Sequence, residues 1–388
     1  MPRPPRIAPA VDAISGAIFS PLAHRIAQAT GRVFPLHVGD TWMEPCDGAR
    51  MQDLSVDLHP GMHRYTDTQG LAPLVDAIVE KVRARNGIAA ERSWVLVTAG
   101  ATGALASALG MLTEPGEEVL ILAPFWPLIR GIVQNVRARP VEVPFFDRID
   151  SAAEAVAAVR AHLTPRTVAL YISSPSNPSA RVMPAEWIEA LAAFARRENL
   201  WLLSDEVYED YVYRGEHVSP ARFAPERTLS VFSFSKAYGM AGNRVGYLVG
   251  PSEAVAAARK VSTHSSFHPP TAGQIAALRA LECGAGWIES AREAYRRAGD
   301  EAALALGVEP PSGSTFLFLD VKARLDERGL WGFLEDCLED GVLLAPGPSC
   351  GEAYPTWVRL CFSAAPPEET AEAVRRIAKR LGMDSRQR

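Results

Sequence analysis

From about residue 70 onward the chain alternates two patterns of apolar and polar positions. Residues 71–85 repeat apolar side chains at helical spacing, whereas 94–98 are apolar almost throughout and run into a glycine-rich turn. A second helical stretch, 104–112, stops at Pro115-Gly116. Short apolar runs then predict strands at 119–122, 141–143, 167–173, 201–204, 229–234 and 245–249, with helices at 152–162 and 185–197 among them. Strands apolar on both faces and separated by helices predict a largely parallel sheet covered on each side.

The ends of the chain read differently. Ile18, Leu22, Ile26 and Ala29 fall at helical spacing, so a helix is expected over 17–30, ending at Gly31, with a short strand at 33–38. Beyond about residue 290 long helices dominate, broken by expected strands at 316–320 and 357–362. The organisation expected is an N-terminal segment 1–45 completing a small domain, a large domain 46–290, and a small α+β domain 291–388.

Composition narrows the function classes. A chain of 388 residues with 48% apolar side chains supports a substantial core. Its net charge of −5, with no basic run interleaved with aromatics, argues against nucleic-acid binding. No apolar stretch is long enough for a membrane span, and the N-terminus has no signal-peptide pattern. Cys46, Cys283, Cys337, Cys350 and Cys361 are odd in number and widely spaced. Neither a disulfide framework nor a metal site is expected from them, and a cytoplasmic location follows most simply.

Four segments carry candidate chemistry. Phe232-Ser233-Phe234-Ser235-Lys236 ends a strand in alternating serines and a lysine, followed by Gly239, Gly242 and Arg244. A desolvated lysine can attack an aldehyde, and serine hydroxyls with a guanidinium suit a phosphate. Alone, this string could be a surface lysine after a strand. Thr98-Ala99-Gly100-Ala101-Thr102-Gly103 joins a strand to a helix and could turn backbone N–H groups toward an anion, or be only a tight turn. Leu202-Leu203-Ser204-Asp205-Glu206-Val207-Tyr208 delivers an aspartate where α/β sheets bind ligands, although an N-cap would look the same. Ser174-Pro175-Ser176-Asn177-Pro178 places an amide near that edge, or an Asx turn before proline.

Together and in this order, these segments resemble the class I/II aminotransferases, fold-type I pyridoxal-phosphate enzymes, over nearly the whole chain. The resemblance implies a large domain with a mostly parallel sheet between helices plus a smaller α+β domain. It implies pyridoxal 5'-phosphate held by Lys236 as a Schiff base, with Lys236 later the acid/base at the substrate Cα. Asp205 is then expected at the pyridinium nitrogen, and Asn177 and Tyr208 at the ring's phenolic oxygen. Trp126 is expected on the ring face, and Ala101, Thr102, Ser233, Ser235 and Arg244 at the phosphate. Arg359 is implied as the grip on the substrate α-carboxylate, with Asn177 also on the substrate side and Gly39 where substrate passes close to backbone. Tyr65 is implied to reach the phosphate of a neighbouring subunit, and hence a homodimer with shared sites.

Three positions depart from that family's pattern, the first a mild change in a turn. Asn177-Pro178 is followed by Ser179-Ala180 rather than threonine-glycine. Thr102 stands where an aspartate-preferring branch has lysine, which argues against an aspartate-type donor. Cys350 stands where relatives often have an aromatic. Trp42, Met43, His63, Phe267 and His268, in segments that often line the pocket, hint at a large or polar substrate. The leading expectation is amino transfer from an L-amino acid to a 2-oxo acid. A lyase, synthase or oxidase on the same fold is the alternative, and a non-catalytic amino-acid sensor a remote one.

Overall fold

A computed structural model describes residues 4–14, 16, 22–29 and 31–383. Its larger sheet has seven strands: β1 Val95–Thr98, β2 Glu118–Ala123, β3 Arg139–Pro144, β4 Thr167–Ser173, β5 Trp201–Asp205, β6 Thr228–Ser233 and β7 Gly246–Val249. They lie in the order β1-β7-β6-β5-β4-β2-β3. The pairs β2–β3, β2–β4, β4–β5 and β5–β6 are parallel, and β7 alone runs antiparallel to both neighbours. Every residue of β1, β2 and β7 is buried, as expected for strands covered on both faces. Leu203 and Val231 pack on one side with the helix Gly100–Leu112, and Leu170 and Leu202 on the other with the helix Ala185–Arg197.

A second sheet is antiparallel, in the order β8 Phe316–Asp320, β10 Trp357–Cys361 and β9 Ala345–Pro346. Its apolar residues share one core with the helices Ala285–Leu306, Gly329–Glu339 and Pro367–Arg380. Leu22, Phe34 and Leu36 from the N-terminal segment are buried in that same core. The long helix Ala285–Leu306 runs through residue 290, so the two cores are joined by a continuous rod rather than a loop.

One expectation needs correction at the N-terminus. Of the helix expected over 17–30, residues 23–28 are helical, while 17–21 and 30 lie outside the described residues. The strand expected at 33–38 is reduced to one bridge, Phe34 to Val342. Pro35 has no N–H for a ladder, and the chain turns there, with Val38 N donating to Pro35 O at 3.1 Å.

Candidate functional site

The carboxyl ends of β4, β5 and β6 open into a cavity of about 230 Å³, closed from the far side by β10. Every expected site residue except Tyr65 lines it, and Ser173, Val207 and Ala241 do so as well. A larger cleft of about 1200 Å³, bordered by Arg25, Glu339 and Arg380, shares no lining residue with it. That cleft is bordered by surface charges, several of them paired, such as Arg380 with Asp340.

Lys236 projects from the single turn Phe234–Ala237 that follows β6. Ser233 caps that turn by accepting from Ser235 N at 3.0 Å, and the Tyr211 hydroxyl pins it by donating to Lys236 O at 2.8 Å. The Lys236 ammonium donates to Gly39 O and lies 3.8 Å from Asp40 Oδ1. Burial lowers its pKa from the usual lysine value; Asp40 opposes the shift, while Arg244 and Arg359 reinforce it. A lysine poised this way gives up its proton more readily, which a nucleophilic amine requires.

Asp205 is the last residue of β5 and is buried. Its Oδ2 accepts from the Tyr171 hydroxyl at 2.6 Å, and its Oδ1 from Val207 N at a long 3.4 Å. Among the described residues no cation lies within ion-pair distance of it. Burial raises its pKa from 3.8 to about 6, with the neighbouring Glu206 adding to the rise. A buried carboxylate without a counter-charge is a socket for one brought by a ligand.

The opposite end of the cavity is built for an anion. Ala101 and Thr102 lie in the first turn of the helix Gly100–Leu112, where backbone N–H groups have no helical partner. Arg244 packs on that turn, donating to Ala241 O at 2.9 Å and Ala99 O at 3.4 Å. Gly100 has φ +71°, and a Cβ there would come within 2.5 Å of the guanidinium. At Gly246 a Cβ would meet Ala101 N at 2.7 Å, so glycine lets β7 approach the turn. Ser233 and Ser235 line the same end.

Arg359 reaches in from β10. It is buried, donates to Asn177 Oδ1 at 3.0 Å and to His37 O at 2.9 Å, and lies over the Phe316 ring at 4.7 Å. Its Nε is buried with no hydrogen-bond partner, and among the described residues no carboxylate pairs with it. Gly39 passes so close that a Cβ would meet Phe316 at 2.8 Å. Tyr208 stands edge-on to the same ring at 5.7 Å, its hydroxyl kept protonated by burial. Trp126 lines the cavity beside Phe125, whose N–H donates to Cys350 O at 2.9 Å.

Some expectations do not fall on this cavity. Tyr65 is 84% exposed and packs edge-on against Phe267 and His268, with ring centres 5.2 and 5.7 Å away. Trp42, Met43, His63, Phe267 and His268 are not among its lining residues either, so the hint about substrate size drawn from them does not come from this chain's cavity. Cys350 is fully buried and is not among the lining residues; its carbonyl accepts from Phe125 N. Reading by motif missed Ser173 and Tyr171, because a lone hydroxyl in an apolar strand looks like core. The signal available was their two-residue spacing, which puts both on one face of β4.

The arrangement holds a carboxylate, a softened amine, an anion cradle and a guanidinium around one small cavity, each on a different element. It suits a group carrying a phosphate at one end and a protonated ring nitrogen at the other. The family model for aminotransferase class I and II matches residues 33–377. An aspartate/prephenate aminotransferase of Thermus thermophilus is 37% identical over 342 residues, 84% of this chain and 85% of that protein. An arginine–pyruvate transaminase of Pseudomonas aeruginosa is 35% identical over 329 residues, 82% of each. The solved structure of the Thermus thermophilus aspartate aminotransferase with maleate superposes with a TM-score of 0.87 at 32% identity, covering 97% of this chain and 100% of that one.

Proposed function

The chain belongs to the class I and II aminotransferase family, and on that premise we propose how its own residues divide the work of amino transfer. The family's cofactor is pyridoxal 5'-phosphate, which when bound supplies an electron sink for the carbanion left when an amino acid loses its Cα proton. Asp205 faces the ring nitrogen, where a positive charge relieves its unpaired burial. Arg244, Thr102, Ala101, Ser233 and Ser235 hold the phosphate, and Trp126 covers the ring face. Tyr208 and Asn177 would hold the ring's phenolic oxygen. Lys236 would hold the cofactor through Nζ, and the same amine is placed to hold and move the substrate Cα proton.

Arg359 grips the substrate α-carboxylate through the planar fork that such a group matches. Its hydrogen bond to Asn177 ties the carboxylate grip to the cofactor ring, so donor and ring are oriented by one connected pair. Tyr65, exposed in a single chain, reaches the phosphate site of a second copy in a homodimer with shared sites.

The single observation that carries this reading is that Lys236, Asp205 and Arg359, from three separate elements, converge on one cavity. The expectation against an aspartate-type donor, drawn from Thr102, gains no support from the relatives, of which the Thermus protein is named for aspartate. The donor is an L-amino acid recognised first by its α-carboxylate. The test is to supply aspartate, arginine and phenylalanine singly with a 2-oxo acid acceptor and quantify both products. Equimolar conversion of donor to its oxo acid and of acceptor to its amino acid supports the reading. Oxo acid formed with free ammonia, and without acceptor, would move the chain to lyase or oxidase chemistry on the same scaffold.

A further inference from the structure

We propose that Tyr171 is a positioning residue for the reaction: its buried hydroxyl holds the Asp205 carboxylate ionised and aimed at the cofactor's ring nitrogen. The inference rests on the reading that Asp205 meets that nitrogen. It begins with register. In the parallel pair β4–β5, Ser173 lies opposite Asp205, and Tyr171 lies opposite Leu203. Tyr171 is therefore the diagonal neighbour of Asp205 on the same face, two residues back, a span that a tyrosine is long enough to bridge.

The hydroxyl is not explained by packing. Tyr171 has no exposed surface and belongs to the same buried apolar core as Phe125, Leu203 and Val231, where phenylalanine would serve as well. Burying a hydroxyl costs stability unless it is hydrogen-bonded. Here the partner is the carboxylate oxygen at 2.6 Å, shorter than the usual neutral bond and in the range of a charge-assisted one. Burial, with Asp205 beside it, pushes the Tyr171 hydroxyl well above the ordinary phenol range, so it stays a donor.

What faces Asp205 makes this bond decisive. Glu206 and Tyr208 follow it in the chain, Lys236 and Arg244 stand beyond β6, and Arg359 lies across the cavity. Opposite it on β6 is the apolar Val231. None of these groups donates a hydrogen bond to the carboxylate. Burial and Glu206 both push Asp205 toward the neutral acid; the Tyr171 hydroxyl, then the distant Val207 N–H, oppose them. A neutral acid cannot pair with a pyridinium, so the hydroxyl sets the pH below which the cofactor's charge partner is lost.

The test uses the loaded enzyme with Tyr171→Phe, which keeps the ring and removes only the hydroxyl. Cofactor affinity is measured by equilibrium dialysis from pH 5.5 to 8.5, beside kcat at saturating cofactor. The expected result is an acid limb of cofactor affinity moved up by about one pH unit, with a larger loss at pH 6 than at pH 8. A loss equal at all pH values, or a profile superimposing on the parent, overturns the proposal, because packing alone has no reason to shift a titration. Tyr171→Leu, which also lacks the hydroxyl, must show the same shifted limb if Tyr171→Phe is poorly soluble. Asp205→Asn separates the two ideas. If it leaves the affinity profile unchanged, the reading of Asp205 itself fails. If it abolishes the acid limb while Tyr171→Phe leaves it in place, only the role of Tyr171 fails.

Discussion

Asp205 and Glu206 are consecutive, both buried, and treated by the fold in opposite ways. Glu206 accepts from Ser219 Oγ at 2.8 Å and lies 2.8 Å from His217 Nε2. Burial would raise its pKa, but these partners outweigh burial and hold it below the ordinary carboxylate range. His217 moves the other way: burial would lower it, yet Glu206 holds it above its usual value. Just beyond, Glu209 is paired with Lys81 and Asn86, and Asp210 with Arg85. Among the described residues Asp205 has only the Tyr171 hydroxyl and a distant amide, and Arg359 across the cavity has only neutral partners. Charges that hold the scaffold together are answered within the chain; charges that face the cavity are left for ligands to answer.

The largest effect should come from Lys236, which we propose as the nucleophile of the cavity. Lys236→Ala is expected to lower turnover by about four orders of magnitude or more while leaving the thermal melt nearly unchanged. Near-parent turnover in a stopped assay would remove it from the chemistry. Glu206→Gln should act on stability instead, because it strips a buried pair of its charge while His217 stays in place. A loss of about 3 kcal/mol in denaturant unfolding is expected, with turnover per folded molecule close to the parent. If Glu206→Gln removed activity without a stability loss, the contrast with Asp205 would collapse.

Asp205→Asn should do the reverse. A carboxyl raised from 3.8 to about 6 binds its proton more tightly in the folded state, so its contribution to stability falls as pH rises through that window. The cofactor-free Asn variant is therefore expected to be more stable than the cofactor-free parent at pH 8, by at most about 3 kcal/mol, and equally stable near pH 4. Differential unfolding at the two pH values checks this, and parallel curves would contradict it. Glu206 carries the opposite sign, its contribution being lost as pH falls below the ordinary carboxylate range, and His217's as pH rises past its raised value. The smallest effect is expected at Arg359. Arg359→Ala should raise KM about 10- to 100-fold for every amino acid tested, since they share one carboxylate. An increase confined to a single donor would place Arg359 on the side chain instead.

Strand periodicity made the sheet legible because a strand covered on both faces must be apolar throughout, and β1, β2 and β4 to β7 fall where such runs lie. The candidate site was legible for a related reason: Asp205 ends a strand, Lys236 and Asn177 each follow one, and parallel strands end on one edge. Thr102 and Arg244 came with the glycine-rich turns that let backbone approach an anion. The 33–38 segment was misread because alternating apolar residues outweighed a proline that cannot join a ladder. Tyr171 stayed hidden because a hydroxyl inside an apolar run carries no mark of its own.

The sequence alone determined most of the elements, the order of the motifs and the candidate reactive groups, since those depend on local chemistry and spacing. Only the tertiary structure decided which charges are answered. Partnering of Asp205 by Tyr171, of Glu206 by His217 and of Arg359 by Asn177 depends on strand register and on two cores meeting across the cavity, and neither is encoded in any local window of residues.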